Sequence, residues 1–187
     1  DMCLVDRLKA SVPGIEEDEL IRLNLLAQTA VFTSQVIPFI LSGEEMLRNK
    51  QGVHNSYQSP IEINRLDWDT LKKYPQVFNY YKGLIALRKQ YAAFRMQTAE
   101  EVRENLRFTT TKPCFIAYEL YDKATDSFIT VALNSNKTAM TLPVQRDVYK
   151  LLVKDGRINL QGLETNILSS IEVPAQSAIV AVRKASK

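Results

Sequence analysis

Hydrophobic patterning divides the 187-residue chain into an α/β part followed by an all-β part. Three observations carry that division. A helical period runs straight into Val36-Ile37-Pro38-Phe39-Ile40-Leu41, an apolar β-branched and aromatic run that reads as a parallel-type strand buried on both faces. A long polar segment follows in which no period survives. Beyond residue 100 short β-rich runs alternate with turn clusters, as in an antiparallel sandwich. The switch in period places a boundary near residue 100, giving units 1–98 and 99–187.

The elements follow from local chemistry. Pro13-Gly14 is a turn signal, and Glu16, Glu17, Asp18 and Glu19 after it suit the positive end of a helix. Leu20, Leu23, Ala27, Ala30 and Val31 then keep helical spacing, while Ile21, Leu25 and Phe32 make other faces apolar, so this helix is expected to be covered on most sides. Pro75 opens a second helix with Val77, Phe78, Tyr81, Leu84, Ile85 and Arg88 on one face, closed by the basic pair Arg88-Lys89. Ala99 to Leu106 reads as a short helix or turn. Strands are expected over 114–121, 127–133, 148–153 and 177–183, separated by Asp122-Lys123, Asn134-Ser135-Asn136 and Asp155-Gly156.

Composition excludes several classes. Hydrophobic residues make up 45% and charged residues 24%, while Gly (6) and Pro (7) are sparse, which removes collagen, coiled coil and full disorder. Twenty-four Lys and Arg against 21 Asp and Glu leave a net charge of +3 without a basic run, so neither nucleic acid nor a membrane surface is expected as a partner. The longest apolar run is too short to cross a bilayer, and no basic leader precedes an apolar region. Cys3 and Cys114 lie in unlike contexts without further ligands at metal spacing. No metal site, disulfide framework or cofactor is therefore expected. The start at Asp1 reads as a cut-out piece.

One helix, one doubly buried strand and a long loop cannot close a parallel sheet alone, so the first part is expected to complete a larger α/β domain. If that domain is a barrel, the segment after Leu41 leaves from the strand end where such barrels place their sites. The segment from Arg48 to Trp68 sets Tyr57 and Trp68 among Asn55, Asn64, Arg65 and Asp67. Flat apolar faces beside fork-like donors and acceptors suit pyranose rings, and the alternative is that both aromatics pin the loop to the core. Glu44-Glu45 point to opposite faces in extended chain and read as supporting or N-capping groups rather than a catalytic pair. His54, the single histidine, lacks a partner motif and reads as solvated.

The run from Val36 to Gly52, with Asn55-Ser56-Tyr57 and Asn64-Arg65-Leu66-Asp67-Trp68, resembles the eighth strand and following loop of type I pullulanases in the alpha-amylase superfamily. Tyr80 to Lys89 and Phe94-Arg95 are similar to the segment joining that barrel to its C-terminal β-domain. Leu4-Val5-Asp6-Arg7-Leu8 resembles the segment after the seventh strand. The resemblance implies the C-terminal end of a TIM (β/α)8 barrel followed by an antiparallel β-sandwich, in a parent that hydrolyses alpha-1,6 bonds of pullulan, glycogen or starch fragments with retention. Its nucleophile and acid/base would lie upstream and its third carboxylate immediately before Asp1. No catalytic residue then falls in this chain, which would be inert without the missing N-terminal barrel portion.

The resemblance assigns Arg65 to holding the sugar ring of the alpha-glucan substrate, with Asn55, Tyr57 and Asn64 shaping the loop and Asp67 and Trp68 structural. The family carries an acidic residue four positions before this arginine. Here that position is Ile61, with Glu62 beside it. The alternative from another class is a non-catalytic β-sandwich module, binding glycan or protein, with a helical adaptor.

Overall fold

The computed structural model describes residues 2–35 and 37–185. Helix α1 (Leu4–Ser11), which the sequence pattern did not announce, leads through Gly14 in the left-handed region into α2 (Glu17–Thr33). Glu17, Asp18 and Glu19 occupy the first turn of α2 as the helix dipole favours. Its buried side is more polar than the apolar period suggests, since Asn24, Gln28, Thr29 and Thr33 are all buried there. Each finds a use: Thr29 and Thr33 donate back to the carbonyls of Leu25 (2.8 Å) and Thr29 (2.7 Å), and Asn24 Oδ1 accepts from the Tyr81 hydroxyl at 2.9 Å.

The strand expected over 36–41 does not form in the described residues 37–41, which carry no helix or strand. Ile37 is 92% and Phe39 90% exposed, whereas Ile40 and Leu41 rest against the core. The physical reason is pairing: a strand is held by hydrogen bonds to neighbours, and the described residues bring no strand alongside the run. The run is thus anchored at Ile40 and Leu41 and bare at Ile37 and Phe39.

Short helices α3 (Ile61–Asn64) and α4 (Asp69–Lys73) interrupt the polar segment before α5 (Pro75–Gln90), which has Pro at its first position. The buried face of α5 is Val77, Tyr80, Tyr81, Leu84, Leu87 and Arg88, while Phe78 and Ile85 are more than a third exposed, so the inner stripe is rotated from the expected one. Arg88 and Lys89 stand in the last turn of α5 as expected, and Arg88 serves a second helix end too. Its Nη1 donates to the carbonyls of Phe32 (3.0 Å) and Ser34 (2.6 Å), closing the C-terminus of α2. Helix α6 (Ala99–Asn105) starts with a capping box between Thr98 and Glu101.

Seven strands follow: β1 (Leu106–Lys112), β2 (Phe115–Asp122), β3 (Ser127–Asn134), β4 (Met140–Lys154), β5 (Arg157–Ile158), β6 (Glu164–Val173) and β7 (Ser177–Lys184). All pairings are antiparallel, and the order is β1-β2-β3-β7-β4-β5, with β6 next to β5 along the edge of β4 that faces away from β7. This corrects the two-sheet sandwich: there is a single sheet that curls. The 15-residue β4 breaks register between Pro143 and Asp147, and its first part pairs only with β6. That bulge lets the β4–β6 arm fold over the sheet. Leu142, Ile171 and Val173 thereby share a cluster with Phe115, Ala132 and Ile179, although β2 has no ladder to β4 or β6.

The outer face packs against the helices. Leu120, Ile129, Val131, Leu152 and Val180 form one cluster with Leu25, Phe32, Tyr80, Leu84 and Phe94, which joins both halves of the chain. Tyr118 reaches Thr33 Oγ1 at 2.7 Å across this interface. Gly83 is needed there, since a Cβ on it would sit 2.4 Å from Ile158. Among the described residues no helix is long and apolar enough to cross a membrane.

Candidate functional site

The polar segment after Leu41 is held by a small set of side chains. Gly43 opens a 3-10 turn over Glu44–Met46 with φ 95°, and a Cβ there would meet Arg48 and Leu66 at 2.9 Å. Only glycine suits both demands. Glu45 accepts from the Gly43 amide at 3.0 Å and Glu44 from Gln28 Nε2 at 3.1 Å, the supporting roles expected of this pair. Burial pushes the Glu44 carboxyl upward despite its hydrogen bonds.

Asn64 is the hub of the loop. Its amide nitrogen donates to the carbonyls of Ser56 (2.7 Å) and Ser59 (3.1 Å), and its Oδ1 accepts from Lys50 Nζ (3.2 Å) and Ser56 Oγ (3.0 Å). These four bonds use the full capacity of the side-chain amide, so Asn64 shapes the loop rather than offering itself to a ligand. Asn55 contributes through its backbone, with φ 56° and ψ 64°, a left-handed conformation that asparagine tolerates. Leu47 and Gln51 share that region at φ 57° and 56°, concentrating backbone strain along this segment.

Arg65 extends from the end of α3 into a cleft of about 160 Å³. Arg48, Glu62, Asp67 and Thr70 share its lining. Two guanidinium groups and two carboxylates around a small open space can bind a ring carrying several hydroxyls. Ile61 is 68% exposed and outside the cleft lining, whereas Glu62, one residue on, contributes to it beside Arg65. Tyr57 and Trp68 are 76% and 64% exposed, which removes the reading that they pin the loop to the core. His54 is exposed as well.

Sequence reasoning missed the supports beneath this loop. Arg48 ties Ser42 to Asn64 by donating to both carbonyls, at 2.9 Å to Ser42. Buried Asp6 on α1 accepts from the amides of Lys50 (2.6 Å) and Gly52 (3.0 Å). The Cys3 thiol donates to Asp6 at 2.8 Å, and burial followed by that carboxylate raises its pKa. A carboxylate among apolar residues near a chain end was the available signal for Asp6.

No model of a known protein family matches the chain. Individual proteins do. The pullulanase of Bacillus subtilis is 39% identical over 117 residues, covering 63% of this chain and 16% of that protein. The solved pullulanase of Bacillus acidopullulyticus superposes with a TM-score of 0.92 at 35% identity, covering 98% of this chain and 23% of that one. The chain is homologous to pullulanases and glycogen debranching enzymes. The pullulanase of Paenibacillus barengoltzii, solved as a complex with maltohexaose and alpha-cyclodextrin, is also similar, with a TM-score of 0.86 and 34% identity over 98% of this chain and 28% of that one. The chain thus spans less than a third of each of these pullulanases. The similarity to the solved pullulanases runs through the helical half and the curled sheet alike, since it covers nearly the whole chain.

Proposed function

We infer that the chain supplies the C-terminal part of a retaining α-1,6-debranching glycoside hydrolase. Residues 1–98 complete its catalytic (β/α)8 barrel and 99–187 form its C-terminal β-domain. The observation that carries this reading is the apolar run 37–41, in no strand ladder and bare at Ile37 and Phe39, leading directly into the loop that presents Arg65. Such a run is satisfied when strands of the rest of a barrel flank it, and the loop then opens at the end of the barrel where sites are built. The small share of each related pullulanase that the chain spans agrees with this.

In this reading the substrate is an alpha-glucan, and Arg65 holds hydroxyls of the ring at the scissile bond with Glu62 in place of the acid absent at position 61. Double displacement needs two carboxylates about 5 Å apart on either side of that bond. Glu62 and Asp67 line the cleft with Arg65, and in this reading both bind rather than form the reacting pair. Nucleophile and acid/base come from the remainder of the barrel, and the chain alone is inert.

The test is an exchange of this chain for the corresponding segment of the Bacillus subtilis pullulanase. The chimaera is expected to release reducing ends from pullulan with the α-anomer appearing first, while purified 1–187 releases none. Arg65→Ala in the chimaera is expected to lower kcat/KM at least tenfold, about 1.4 kcal/mol of transition-state binding. Hydrolysis by 1–187 alone, or a chimaera indifferent to Arg65→Ala, overturns the reading.

A further inference from the structure

We propose that Asp6 and Lys50 are positioning residues that set Arg65 through Asn64, a relay resting on the reading that Arg65 contacts glucan. Asp6 lies on α1, 4% exposed, and its two oxygens gather the amides of Lys50 and Gly52 at 2.6 and 3.0 Å. A carboxylate accepting several hydrogen bonds in a buried place fixes its partners firmly, because losing one would strand a buried acceptor. The Lys50 backbone is therefore pinned by Asp6. Its side chain turns the other way, donating to Ser56 Oγ at 2.7 Å and Asn64 Oδ1 at 3.2 Å.

Asn64 carries that constraint onward. It closes the loop onto the carbonyls of Ser56 and Ser59 and immediately precedes Arg65, whose amide donates to Ile61 at 2.7 Å. From α1 to Arg65 the connection is continuous: carboxylate, backbone amide, ammonium, side-chain amide, arginine. The exposed segment has little apolar packing of its own, so these polar bonds rather than burial decide where Arg65 stands. Asn at position 6 would keep the size but replace one acceptor oxygen with a donor facing amide donors. Met at position 50 would keep the backbone contact to Asp6 and cut the link to Asn64.

The test is hydrogen exchange of backbone amides in the 187-residue protein and in Asp6→Asn, Lys50→Met and Lys50→Arg. Both cutting variants are expected to speed exchange at Asn64 and Arg65 by at least about tenfold while the sheet amides keep their protection. Lys50→Arg, which still donates, is expected to restore it. Unchanged exchange at Asn64 and Arg65 in Lys50→Met overturns the relay, as does acceleration spread equally over the sheet. Lys50→Met keeps the measurement decisive should Asp6→Asn fail to fold. Maltotetraose titration of the pullulanase chimaera carrying each of these four sequences adds the functional arm: affinity is expected to fall in both cutting variants and recover in Lys50→Arg. Exchange coupling without a maltotetraose response refutes the glucan reading and leaves the relay standing. Equal affinity in all four proteins refutes the positioning role.

Discussion

The sheet half of the molecule covers itself, and the helical half does not. Of the ten large apolar side chains that stand exposed among the described residues, seven (Ile37, Phe39, Tyr57, Ile61, Trp68, Phe78 and Ile85) precede residue 99, and Phe108, Val148 and Ile167 follow it. The difference comes from how each half disposes of its apolar surface. The curled sheet encloses Tyr149, Leu151 and Ile179 within its own bend and gives its outer face to α2 and α5. The helical half spends one side of α2 and α5 on that sheet and leaves Phe78 and Ile85 of α5 open beside Ile40, with Ile37 and Phe39 bare nearby in sequence. Exposed apolar groups gathered in this way suit an interaction surface.

The comparison can be broken by mutation, and the largest effect tests the covered side. Leu152→Ala removes a fully buried side chain shared by sheet and helices and is expected to cost about 2–5 kcal/mol, read from urea unfolding of the 187-residue protein. Next comes the seam between the helices. Arg88→Met keeps the buried stem but abandons the carbonyls of Phe32 and Ser34, and a loss of about 1.5–3 kcal/mol is expected in the same assay.

Glu44 gives a pH signature instead. Its carboxyl pKa is raised in the folded protein by burial, so the neutral form is favoured there. Its contribution is most favourable below the ordinary value of 4.5 and is lost as pH rises through the raised value. Stability of Glu44→Gln relative to the parent should therefore improve between those pH limits and level off above them, measured as urea midpoints across pH 4–7. The smallest effect tests the bare side. Phe39→Ser is expected to change stability by no more than about 0.5 kcal/mol in the isolated protein, because the ring is 90% exposed. A cost near that of Leu152→Ala would erase the contrast between the halves. In the pullulanase chimaera the same substitution should be damaging, which sharpens it.

How much could be read in advance differs by element. Helix α2, the Pro-initiated α5 and the cores of β2, β3 and β7 were legible because each carries a local signature, namely acids in a first turn, Pro at the first position, or alternation between turn clusters, whereas α6 read only as a short helix or turn. β6 and the first part of β4 were not, since an arm with one face in the curl and the other in water shows a broken alternation across its bulge. At the site, Arg65 was singled out by the resemblance, and the exposure of Tyr57 and Trp68 decides between two readings that residue type left open. The work done by Asp6, Lys50 and Arg48 had no local pattern, because their partners, backbone amides and carbonyls or the side chains of Ser56 and Asn64, lie 6 to 46 residues away in the chain.

The residues by themselves determined the period of each segment, the break near residue 100, and the likeness of the loop to debranching enzymes. These are local properties, set by side-chain size, capping chemistry and apolar spacing within a few positions. Only the tertiary structure decided that the β-part is one curled sheet, that residues 37–41 carry no strand ladder, and that Asn64 is spent on the loop. Strand pairing and hydrogen-bond saturation depend on which groups arrive alongside. The same apolar run that reads as a buried strand is left bare when no neighbouring strand comes to meet it.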